Sequence, residues 1–464
     1  MRHSCDIAIV GSGILGVSIS FWLSKLYDCS ILLIDKEGGV AHHTSSRNTG
    51  VVHRPFYLNP EKKKIFARCS QNSYTLWSKL ALKFNLPWRQ LGTIEVALDD
   101  SQIPTLEKYK RWSLANGMEE WETEILNAKE VREIEPEVEC AGAIYSKTDT
   151  CVDYCEFTRC VFNLAEKNGV KFLGNCDVVR IEENGECGVV MLHARELENS
   201  SRAEGENNAH EARGKRFNSE IECRLLINAA GGCSLDLAHQ MGLAKNLTDL
   251  HFRGEYWVVS EPFASKIRRN VYSVAKYPEF PFLDPHFIVR ASGRREIGPN
   301  AVLVSGPGAY SGLSSSKKEL LEKIFERPLS PKIKLFTSRK FLALAWKEWR
   351  SSLSKSAMCG RVKQFIPALE ERFLVERGLS GIRSSVIDES GFLPEALVLE
   401  SEKSLHVINY NSPGATGAPS FSAYVVSVLM EKGFLDSFTK KKKKIAQEED
   451  HSELWNFEFA TKNL

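Results

Sequence analysis

The chain has 464 residues, more than one hydrophobic core usually organises, so we expect two domains. It is 43% hydrophobic and 26% charged, with a formal net charge of +2, a balance that gives no support for a nucleic-acid partner. No stretch reaches the ~18 consecutive apolar residues that a membrane span needs. The twelve cysteines follow no common zinc spacing, so no metal is predicted. We expect a cytoplasmic protein, and we leave open a peripheral contact at the inner face of a membrane.

The segment DIAIVGSGILGVSISFWLSKLYDCSILLID, residues 6–35, has the pattern of a strand, a glycine-rich turn, a helix and a second strand. Gly11 permits the tight turn, Gly13 lets a pyrophosphate approach the backbone, and Gly16 allows the helix to pack closely on the strand. Asp35 ends the second strand, where its carboxylate would accept a hydrogen bond from a ribose hydroxyl. The segment therefore predicts a dinucleotide site.

Two later segments favour FAD over NAD as the dinucleotide. RLLINAAGG (224–232) is an apolar strand that runs into small residues, and we expect it to return to the same sheet. LHVINYNSPGATGAPSF (405–421) predicts a strand, a loop of small residues and a helix, whose amides can meet another part of the cofactor. The glycine fingerprint lies near the start of the chain, and a second glycine-rich segment returns to the same cofactor much later in the sequence. This arrangement is typical of a large, permanently bound flavin.

The middle of the chain predicts a substrate domain. GEYWVVS (254–260), HFIVR (286–290) and AVLVSG (301–306) are short strands that we expect to form one antiparallel sheet. The polar segment 194–222 has no hydrophobic period and is predicted to be an exposed hairpin or loop. The final segment, 433–464, contains five consecutive lysines followed by acidic residues, which is typical of a solvated tail. A weak anchor for anionic lipid is the alternative.

A helix predicted over 336–353 places Leu342, Trp346, Trp349 and Leu353 on one face. Such a stripe usually packs on its own domain, and that is our prediction here. Because basic residues stand on the rest of the helix, contact with a membrane surface is the alternative.

Six segments in the same order resemble the L-2-hydroxyglutarate dehydrogenase/oxidase family, within the FAD-dependent oxidoreductases of the D-amino-acid-oxidase type. The segments are RNTGVVH (47–53), FRGEYW (252–257), YPEFPFLDPHFIVRASG (277–293), GPNAVL (298–303), GIRSS (381–385) and HVINYNSPGAT (406–416). The resemblance implies an α/β fold in which a Rossmann-type FAD-binding domain is interwoven with a mixed or antiparallel-sheet substrate domain. The expected boundaries are 1–85, 150–235 and 375–432 for the FAD-binding domain, 86–149 and 236–374 for the substrate domain, and 433–464 for the tail.

The same resemblance implies oxidation of L-2-hydroxyglutarate to 2-oxoglutarate, with hydride transfer to flavin N5 and electrons passed to a quinone or another acceptor. Arg47 stands where the family usually has histidine, and Arg54 and Pro55 replace a small residue and glycine. These departures leave the identity of the hydroxy acid open. The alternatives are a flavin enzyme for glycine, malate or glycerol 3-phosphate, and a flavin-binding protein without turnover.

The glycine fingerprint, the small-residue loop and the resemblance together give a set of residues expected to bind FAD. They are Gly11, Gly13, Ile14, Leu15, Gly16, Asp35, Lys36, Thr44, Ser45, Arg47, Asn48, Thr49, Gly50, Val178, Ala230, Gly231, Arg383, Pro413, Gly414, Ala415 and Thr416.

Oxidation of a hydroxy acid needs a base for the hydroxyl proton and a cation for the carboxylate. His53 and His286 are both candidates for the base, since an imidazole exchanges protons near neutral pH, and the sequence does not decide between them. Arg383 is the candidate for the carboxylate, which a guanidinium grips with two parallel hydrogen bonds. The further residues predicted to bind substrate are Tyr57, Arg54, Arg253, Tyr256 and Arg290.

Overall fold

A computed structural model of the chain describes residues 1–184, 189–197, 218–277, 280, 284–311, 317–441 and 454–464. The strands in these ranges are β1 Arg2–Val10, β2 Tyr27–Asp28, β3 Ile31–Ile34, β4 Val51–Val52, β5 Arg89–Gln90, β6 Thr93–Ala97, β7 Thr123–Asn127, β8 Gly142–Ser146, β9 Thr150–Cys151, β10 Lys171–Leu173, β11 Cys176–Asn184, β12 Val189–Glu196, β13 Ser219–Asn228, β14 Thr248–Gly254, β15 Trp257–Val259, β16 Asn270–Ser273, β17 His286–Val289, β18 Arg295–Gly298, β19 Val302–Val304, β20 Leu374–Arg377, β21 Gly381–Asp388, β22 Gly391–Phe392, β23 Leu397–Glu400, β24 Ser404–Ile408 and β25 Thr439–Lys440. The helices are α1 Ile14–Leu26, α2 Lys64–Phe84, α3 Ile103–Ala115, α4 Ala128–Ile134, α5 Tyr154–Lys167, α6 Ser234–Gln240, α7 Lys317–Ile324, α8 Ser330–Phe336, α9 Arg339–Leu353, α10 Lys355–Val362, α11 Gly414–Glu431 and α12 Phe457–Ala460. None of the helices in these ranges is long and apolar enough to cross a bilayer.

The first sheet is built around the glycine-rich segment. Its strand order is β10-β3-β1-β13-β12-β11, and β24 joins it beside the end of β13. Strands β10, β3, β1, β13 and β24 are parallel neighbours, and they are apolar because helices and further strands cover both of their faces. The predicted strand–helix–strand unit is therefore confirmed, as is the return of the segment 224–232 beside β1.

Three helices cover one face of the first sheet. Trp22 of α1 donates its ring N–H to the Pro419 carbonyl at 2.8 Å, which joins α1 to α11. Trp77 of α2 donates to the Thr416 carbonyl at 2.9 Å, which joins α2 to the first turn of α11. These buried indoles hold α1, α2 and α11 together.

The second sheet has eight strands in the order β20-β15-β18-β17-β16-β6-β8-β7. One of its faces is a hydrophobic core that includes Ile94, Val271 and Phe287, all 0% exposed. Because side chains alternate along a strand, the residues between them point to the opposite face. That face carries Glu95 and Tyr272, whose strands pair at this position, and the Tyr272 ring on it contacts His53.

The third sheet has the order β19-β14-β21-β22. This corrects the prediction of one antiparallel substrate sheet. Strand β15 and strand β17 do share a sheet, separated by β18, but the AVLVSG strand β19 pairs with β14 in the third sheet. Hydropathy marks each of these strands without indicating its partner, so the sequence could not separate the two sheets.

The helix predicted over 336–353 forms as α9, but its orientation is the reverse of our prediction. Its buried face carries Phe341 and Leu344, which pack on the third sheet. Leu342 is 49%, Trp346 72% and Leu353 68% exposed. Three of the four residues of the predicted apolar stripe therefore face solvent, and the fourth, Trp349, is half-buried.

The last residues also differ from the prediction of a solvated tail. Trp455 is 0% exposed, and its ring N–H donates to the Leu76 carbonyl at 3.0 Å. The lysine run falls only partly within the described residues, since 442–453 lie outside them. In the polar segment 194–222, residues 198–217 lie outside the described ranges, while the flanking strands β12 and β13 are antiparallel neighbours as a hairpin requires.

Candidate active site

The turn between β1 and α1 has the geometry that the glycine spacing predicts. Gly11 adopts φ +105°, and a Cβ there would overlap the carbonyl oxygen of Ala229, the residue that follows β13. A Cβ at Gly16 would overlap the carbonyl of Gly11. Both positions therefore require glycine, because the turn, the helix and the neighbouring strand meet without room for a side chain.

The N-terminal end of α1 is available to an anion. Gly13 is its N-cap and provides no side-chain cap, and the first turn, which begins with Ile14 and Leu15, has no acidic residue. The Ile14 amide donates to Ser45 Oγ at 2.8 Å, which brings a hydroxyl to the same end of the helix. Free amides, a positive helix dipole and a hydroxyl are the groups that bind a pyrophosphate.

Asp35 stands at the end of β3 and closes the same turn. Its Oδ2 accepts hydrogen bonds from the Ser12 amide at 2.6 Å and the Ser12 hydroxyl at 2.8 Å. Its Oδ1 accepts from the Glu37 amide at 2.9 Å, so one carboxylate oxygen has only one donor among the described residues. A ribose hydroxyl remains a suitable second donor for it.

The residues around this turn come from three further segments. Lys36 lies near Cys233, Glu37 and Asp177, whose charges raise the pKa of its ammonium group against the effect of burial. The Cys176 amide donates to the Asp35 carbonyl at 2.9 Å, and Val178 follows two residues later on β11. Ala230 and Gly231 follow β13 directly, and nothing lies within 4 Å of a Cβ built at Gly231.

The segment from Thr44 to Gly50 forms a turn that Asn48 holds together. The Asn48 amide donates to the Thr44 and Ser45 carbonyls at 3.0 Å each, and its oxygen accepts from the Gly50 amide at 2.8 Å. Thr49 is half-buried in this turn. The guanidinium of Arg47 lies over the ring of Tyr310, 4.3 Å from its centroid.

The loop before α11 reaches the segment that carries His53. Gly414 begins the helix, Pro413 is its N-cap without a side-chain cap, and Ala415 follows in the first turn. The Thr416 hydroxyl accepts from the His53 amide at 3.2 Å, which joins the start of α11 to the backbone of His53. A second uncapped helix N-terminus therefore lies beside the candidate base.

His53 is paired with a buried aspartate that the sequence did not single out. His53 Nδ1 lies 3.0 Å from Asp149 Oδ2, and Asp149 is 0% exposed. Strand β4 pairs antiparallel with β9, with Val52 opposite Thr150, so the next residues outward, His53 and Asp149, face each other. The residues are 96 positions apart, and nothing in the sequence signals the pairing.

His286 is on the same face of the second sheet as Tyr272, and the two rings stack with centroids 3.8 Å apart. Burial, and then the charge of His53, lower the pKa of His286 to about 3. Neither ring nitrogen of His286 nor the Tyr272 hydroxyl has a hydrogen-bond partner among the described residues. His53 lies edge-on to Tyr272 at 5.7 Å, so the structure brings both candidate bases to one place.

Arg383 comes to this place from β21 of the third sheet, opposite Phe252 of β14. Burial lowers the pKa of its guanidinium, while the nearby hydroxyls of Tyr256 and Tyr57 act in the opposite direction. Tyr57 is edge-on to His53 at 6.1 Å, and burial raises the pKa of Tyr57. The predicted residues His53, His286, Tyr57, Tyr256 and Arg383 therefore lie together.

The structure gives the other predicted arginines partners within the protein. Arg54 Nη2 lies 2.9 Å from Glu122 Oε1, and both side chains are buried. Arg253 donates through Nε and Nη2 to Glu255 Oε1 at 3.1 and 2.8 Å. In place of the substrate contacts predicted for them, both groups have compensating carboxylates, so neither brings net positive charge to the pocket.

Arg290 is closer to the candidate pocket. Its Nε donates to Glu296 Oε2 at 2.9 Å, and another of its nitrogens donates to the Asn48 carbonyl. Its guanidinium lies 5.0 Å from the centroid of the Tyr256 ring. Arg290 therefore ties the second sheet to the turn around Asn48, with most of its charge balanced by Glu296.

Two more residues near the pocket were missed by the sequence analysis. Burial, then the charge of Arg383, lower the pKa of Lys63. Burial, and then the charge of Asp149, raise the pKa of Glu95 to about 8. Neither residue is in a motif, and each comes to the pocket through the fold, Lys63 before α2 and Glu95 on β6.

These residues fit an FAD: two uncapped helix N-termini, an acid at the end of β3, and glycines that hold the backbone open. The sequence matches the FAD dependent oxidoreductase family, DAO, over residues 6–427. The chain belongs to this family. FAD is accordingly its cofactor, and the predicted fold class, cofactor and enzyme class are confirmed.

The relatives are similar along nearly the whole chain. A mitochondrial L-2-hydroxyglutarate dehydrogenase of Caenorhabditis briggsae is 28% identical over 431 residues, covering 91% of this chain and 92% of the relative. An L-2-hydroxyglutarate dehydrogenase of Escherichia coli K12 is 26% identical and covers 91% and 92%. Both confirm the resemblance drawn from the six segments.

Solved structures share the fold. The FAD-bound L-alpha-glycerophosphate oxidase of Mycoplasma pneumoniae aligns with a TM-score of 0.67 and 20% identity, over 95% of this chain and 97% of the other. The glycine oxidase of Geobacillus kaustophilus aligns with a TM-score of 0.64 and 17% identity, over 93% and 95%. At these identities the likeness concerns the fold alone.

Proposed function

We propose that the protein uses FAD to oxidise L-2-hydroxyglutarate to 2-oxoglutarate. The observation that carries the proposal is the grouping of a histidine paired with a buried aspartate, His53, and a guanidinium, Arg383, around the same tyrosine, Tyr57. Relatives named L-2-hydroxyglutarate dehydrogenase over the length of the chain support this choice of acid.

His53 is the base in this proposal. Its Nδ1 is engaged by Asp149, so its Nε2 is the nitrogen that takes the proton of the substrate hydroxyl. His286 is less suited, because burial lowers its pKa to about 3 and a group so weakly basic holds an abstracted proton poorly near neutral pH. When bound, FAD supplies the hydride acceptor, flavin N5, for the hydrogen on C2 of the substrate.

Arg383 and Lys63 are the two cations for the two carboxylates of the substrate. Arg383 binds the carboxylate next to C2 with its planar fork. Lys63 is near enough for the charge of Arg383 to lower its pKa, and Arg54 and Arg253 are already neutralised by glutamates. An anionic substrate would relieve this repulsion between the two cations.

The first test is anaerobic mixing of the FAD-loaded protein with L-2-hydroxyglutarate while the visible flavin absorbance is followed. Bleaching with the L form and not with the D form is expected. No bleaching with the L form, together with bleaching by glycine, malate or glycerol 3-phosphate, would overturn the choice of substrate. No bleaching by any of them would favour a flavin-binding protein without turnover.

A variant of Lys63 tests the second carboxylate. Lys63→Met should raise the KM for L-2-hydroxyglutarate about 10–100-fold, the value of a charge-assisted hydrogen bond, and should leave turnover of a monocarboxylate such as L-lactate nearly unchanged. The neighbouring exposed Lys62→Met is the matched control and should change neither. An equal effect of Lys63→Met on both substrates would contradict the assignment.

We further propose that electrons leave the protein to a quinone at the surface of an anionic membrane, reached through α9. The exposed stripe of this helix combines Leu342, Trp346 and Leu353 with the cations Arg339 and Arg350. A helix with exposed apolar residues among lysines and arginines is typical of proteins that lie on a bilayer.

The charges of α9 support an anionic lipid surface over a protein partner of mixed charge. The one acid of the helix, Glu348, is 0% exposed and bonds Arg361 at 2.8 Å, so it faces away from the stripe. The end of the helix is linked to the backbone of Tyr256 by two hydrogen bonds, because Arg377 donates to the Ser352 carbonyl at 2.6 Å and the next residue, Gly378, donates to the Tyr256 carbonyl at 2.8 Å.

Sedimentation with vesicles of phosphatidylcholine and phosphatidylglycerol tests this surface. The protein should bind the anionic vesicles, and Trp346→Ala should weaken binding at least several-fold. Trp121 is 61% exposed on a different helical turn, and Trp121→Ala should bind like the parent. Equal loss in both variants, or no preference for anionic lipid, would contradict the proposal.

A further inference from the structure

Asp149 is the most completely hydrogen-bonded carboxylate near the pocket. Its Oδ2 accepts from His53 Nδ1 at 3.0 Å and from the Thr93 hydroxyl at 2.9 Å. Its Oδ1 accepts from the Arg54 amide at 3.0 Å and from the Ser146 hydroxyl at 2.6 Å. Both oxygens are thus held in place by donors from different strands and loops.

This arrangement decides which nitrogen of His53 carries the proton. An ionised carboxylate only accepts hydrogen bonds, so His53 Nδ1 must donate. A neutral imidazole has one N–H, and Nε2 is therefore left with its lone pair. The side chain of His53 is 13% exposed, so the ring still reaches the pocket while its other edge is fixed.

The guanidinium of the nearby Arg54 does not form an ion pair with Asp149. The Arg54 guanidinium is directed to Glu122 and Gln71, at 2.9 and 3.0 Å, and only the Arg54 backbone amide contacts Asp149. The carboxylate therefore remains a negative group beside the imidazole. It would stabilise the imidazolium that forms when His53 accepts a proton in this buried site.

We propose that Asp149 is a positioning residue that acts through His53, fixing the tautomer with a proton on Nδ1 and stabilising the protonated ring. The inference rests on the proposed function in that it takes His53 as the base. It goes beyond that function in assigning the orientation of the ring to one buried carboxylate and its four donors.

Asp149→Asn tests the proposal with little change in shape. The Arg54 amide and the Ser146 hydroxyl fix the amide oxygen on their side, so the NH₂ group takes the place of Oδ2. A donor there makes His53 Nδ1 an acceptor and moves the ring proton to Nε2. The FAD-loaded variant should lose kcat about 10²–10⁴-fold, as expected for a wrong tautomer, with KM within about threefold of the parent.

Two controls separate positioning from general damage. In a His53→Gln background, Asp149→Asn should cost nothing further in kcat, because its effect passes through His53. Asp249→Asn alters another buried aspartate, 2% exposed and paired with Lys323, and should leave kcat unchanged. Full additivity of the His53 and Asp149 variants would overturn the proposal.

A spectroscopic measurement makes the result independent of turnover. Long-range ¹H–¹⁵N correlation on protein labelled at histidine nitrogen reports which ring nitrogen is protonated, with His53→Gln used to assign the signal. The parent should show Nδ1–H for His53 and the Asp149→Asn variant Nε2–H. An Nε2–H tautomer in the parent overturns the proposal, and failure of the parent to oxidise L-2-hydroxyglutarate would instead contradict the proposed function.

Should Asp149→Asn not fold, Thr93→Val provides the second variant. It keeps the carboxylate and removes one of the two hydrogen bonds on Oδ2. We expect kcat to fall about 10-fold, the lower end of the value of a hydrogen bond to a charged group, and we expect the Nδ1–H signal of His53 to broaden. A parent-like kcat together with a parent-like signal would overturn the role assigned to this set of donors.

Discussion

Arg54→Met tests whether the arginine next to His53 binds substrate or holds the fold. The Arg54 side chain lies against Glu122, Gln71 and the ring of Tyr74, with its guanidinium carbon 4.2 Å from the ring centroid. Methionine keeps much of the volume but removes the charge. Glu122, which is 5% exposed, then remains buried without its cation.

Breaking a buried ion pair by removing one partner costs about 3–5 kcal/mol. For a chain of 464 residues the entropy of unfolding is about 1 kcal/mol/K, so Tm should fall by about 3–5 °C. The KM for L-2-hydroxyglutarate should stay within about twofold, because the guanidinium is directed to Glu122 and not to the pocket. Thermal unfolding of the FAD-loaded protein and steady-state kinetics measure the two quantities.

Two further variants calibrate this result. Arg54→Met combined with Glu122→Leu replaces the pair by apolar groups and should recover most of the lost stability. Arg372→Met breaks an exposed pair with Glu370 and should cost no more than about 1 kcal/mol. If Arg54→Met leaves Tm unchanged and raises the KM at least tenfold, Arg54 contacts the substrate and the reasoning from burial is refuted.

Three other outcomes are expected. Arg383→Lys should lower kcat/KM for L-2-hydroxyglutarate about 10–100-fold, because an ammonium cannot grip a carboxylate bidentately; an unchanged kcat/KM would count against its role. Gly11→Ala should yield protein without flavin absorbance, since its Cβ overlaps the Ala229 carbonyl at a φ of +105°; a yellow variant would contradict this. Burial lowers the pKa of His251 and His406 to about 4 and that of His286 to about 3, so the unfolded chain binds more protons below pH ~6.5. The free energy of unfolding by urea should therefore decrease as pH falls from ~6.5 towards ~4, by up to about 4 kcal/mol per pH unit, and a pH-independent value would exclude these three neutral imidazoles.

The parts of the fold that the sequence predicted are those set by local chemistry. The spacing of Gly11, Gly13 and Gly16 is required by a turn in which backbone packs against backbone. The turn can therefore be predicted from a few consecutive residues. The partner of a short strand depends on distant segments instead. This is why the strand at 302–304 was assigned to the wrong sheet although its existence was predicted correctly.

The α9 helix shows how a correct periodicity can give a wrong orientation. Its sequence has apolar residues on both faces, Phe341 and Leu344 on one and Leu342 and Trp346 on the other. The prediction took the stripe with the tryptophans as the buried face, because such a stripe usually packs on its own domain. The third sheet instead packs against Phe341 and Leu344, and Glu348 is buried in a pair with Arg361, which only the tertiary structure could indicate.

Some signals at the site were present in the sequence and were not used. Arg253 and Glu255 are two residues apart near the end of a strand, a spacing that puts both side chains on one side and predicts their pairing. The partners of His53 and Arg54 gave no such signal, since Asp149 is 96 and Glu122 is 68 positions away. A charged residue near a predicted site is therefore a poor candidate for substrate binding until its neighbours in space are known.

The His53–Asp149 pair lies where a small sheet meets the second sheet. Strands β4, β9 and β5 form a small three-stranded sheet through which the chain passes between the first and second sheets. Strand β4 leads on to His53, β9 begins just after Asp149, and the turn after β5 enters the second sheet at Thr93. Because Thr93 is hydrogen-bonded to Asp149 and Asp149 to His53, the proposed base is oriented by residues of the small sheet and the second sheet together. The orientation of the proposed base therefore depends on the junction between these two sheets.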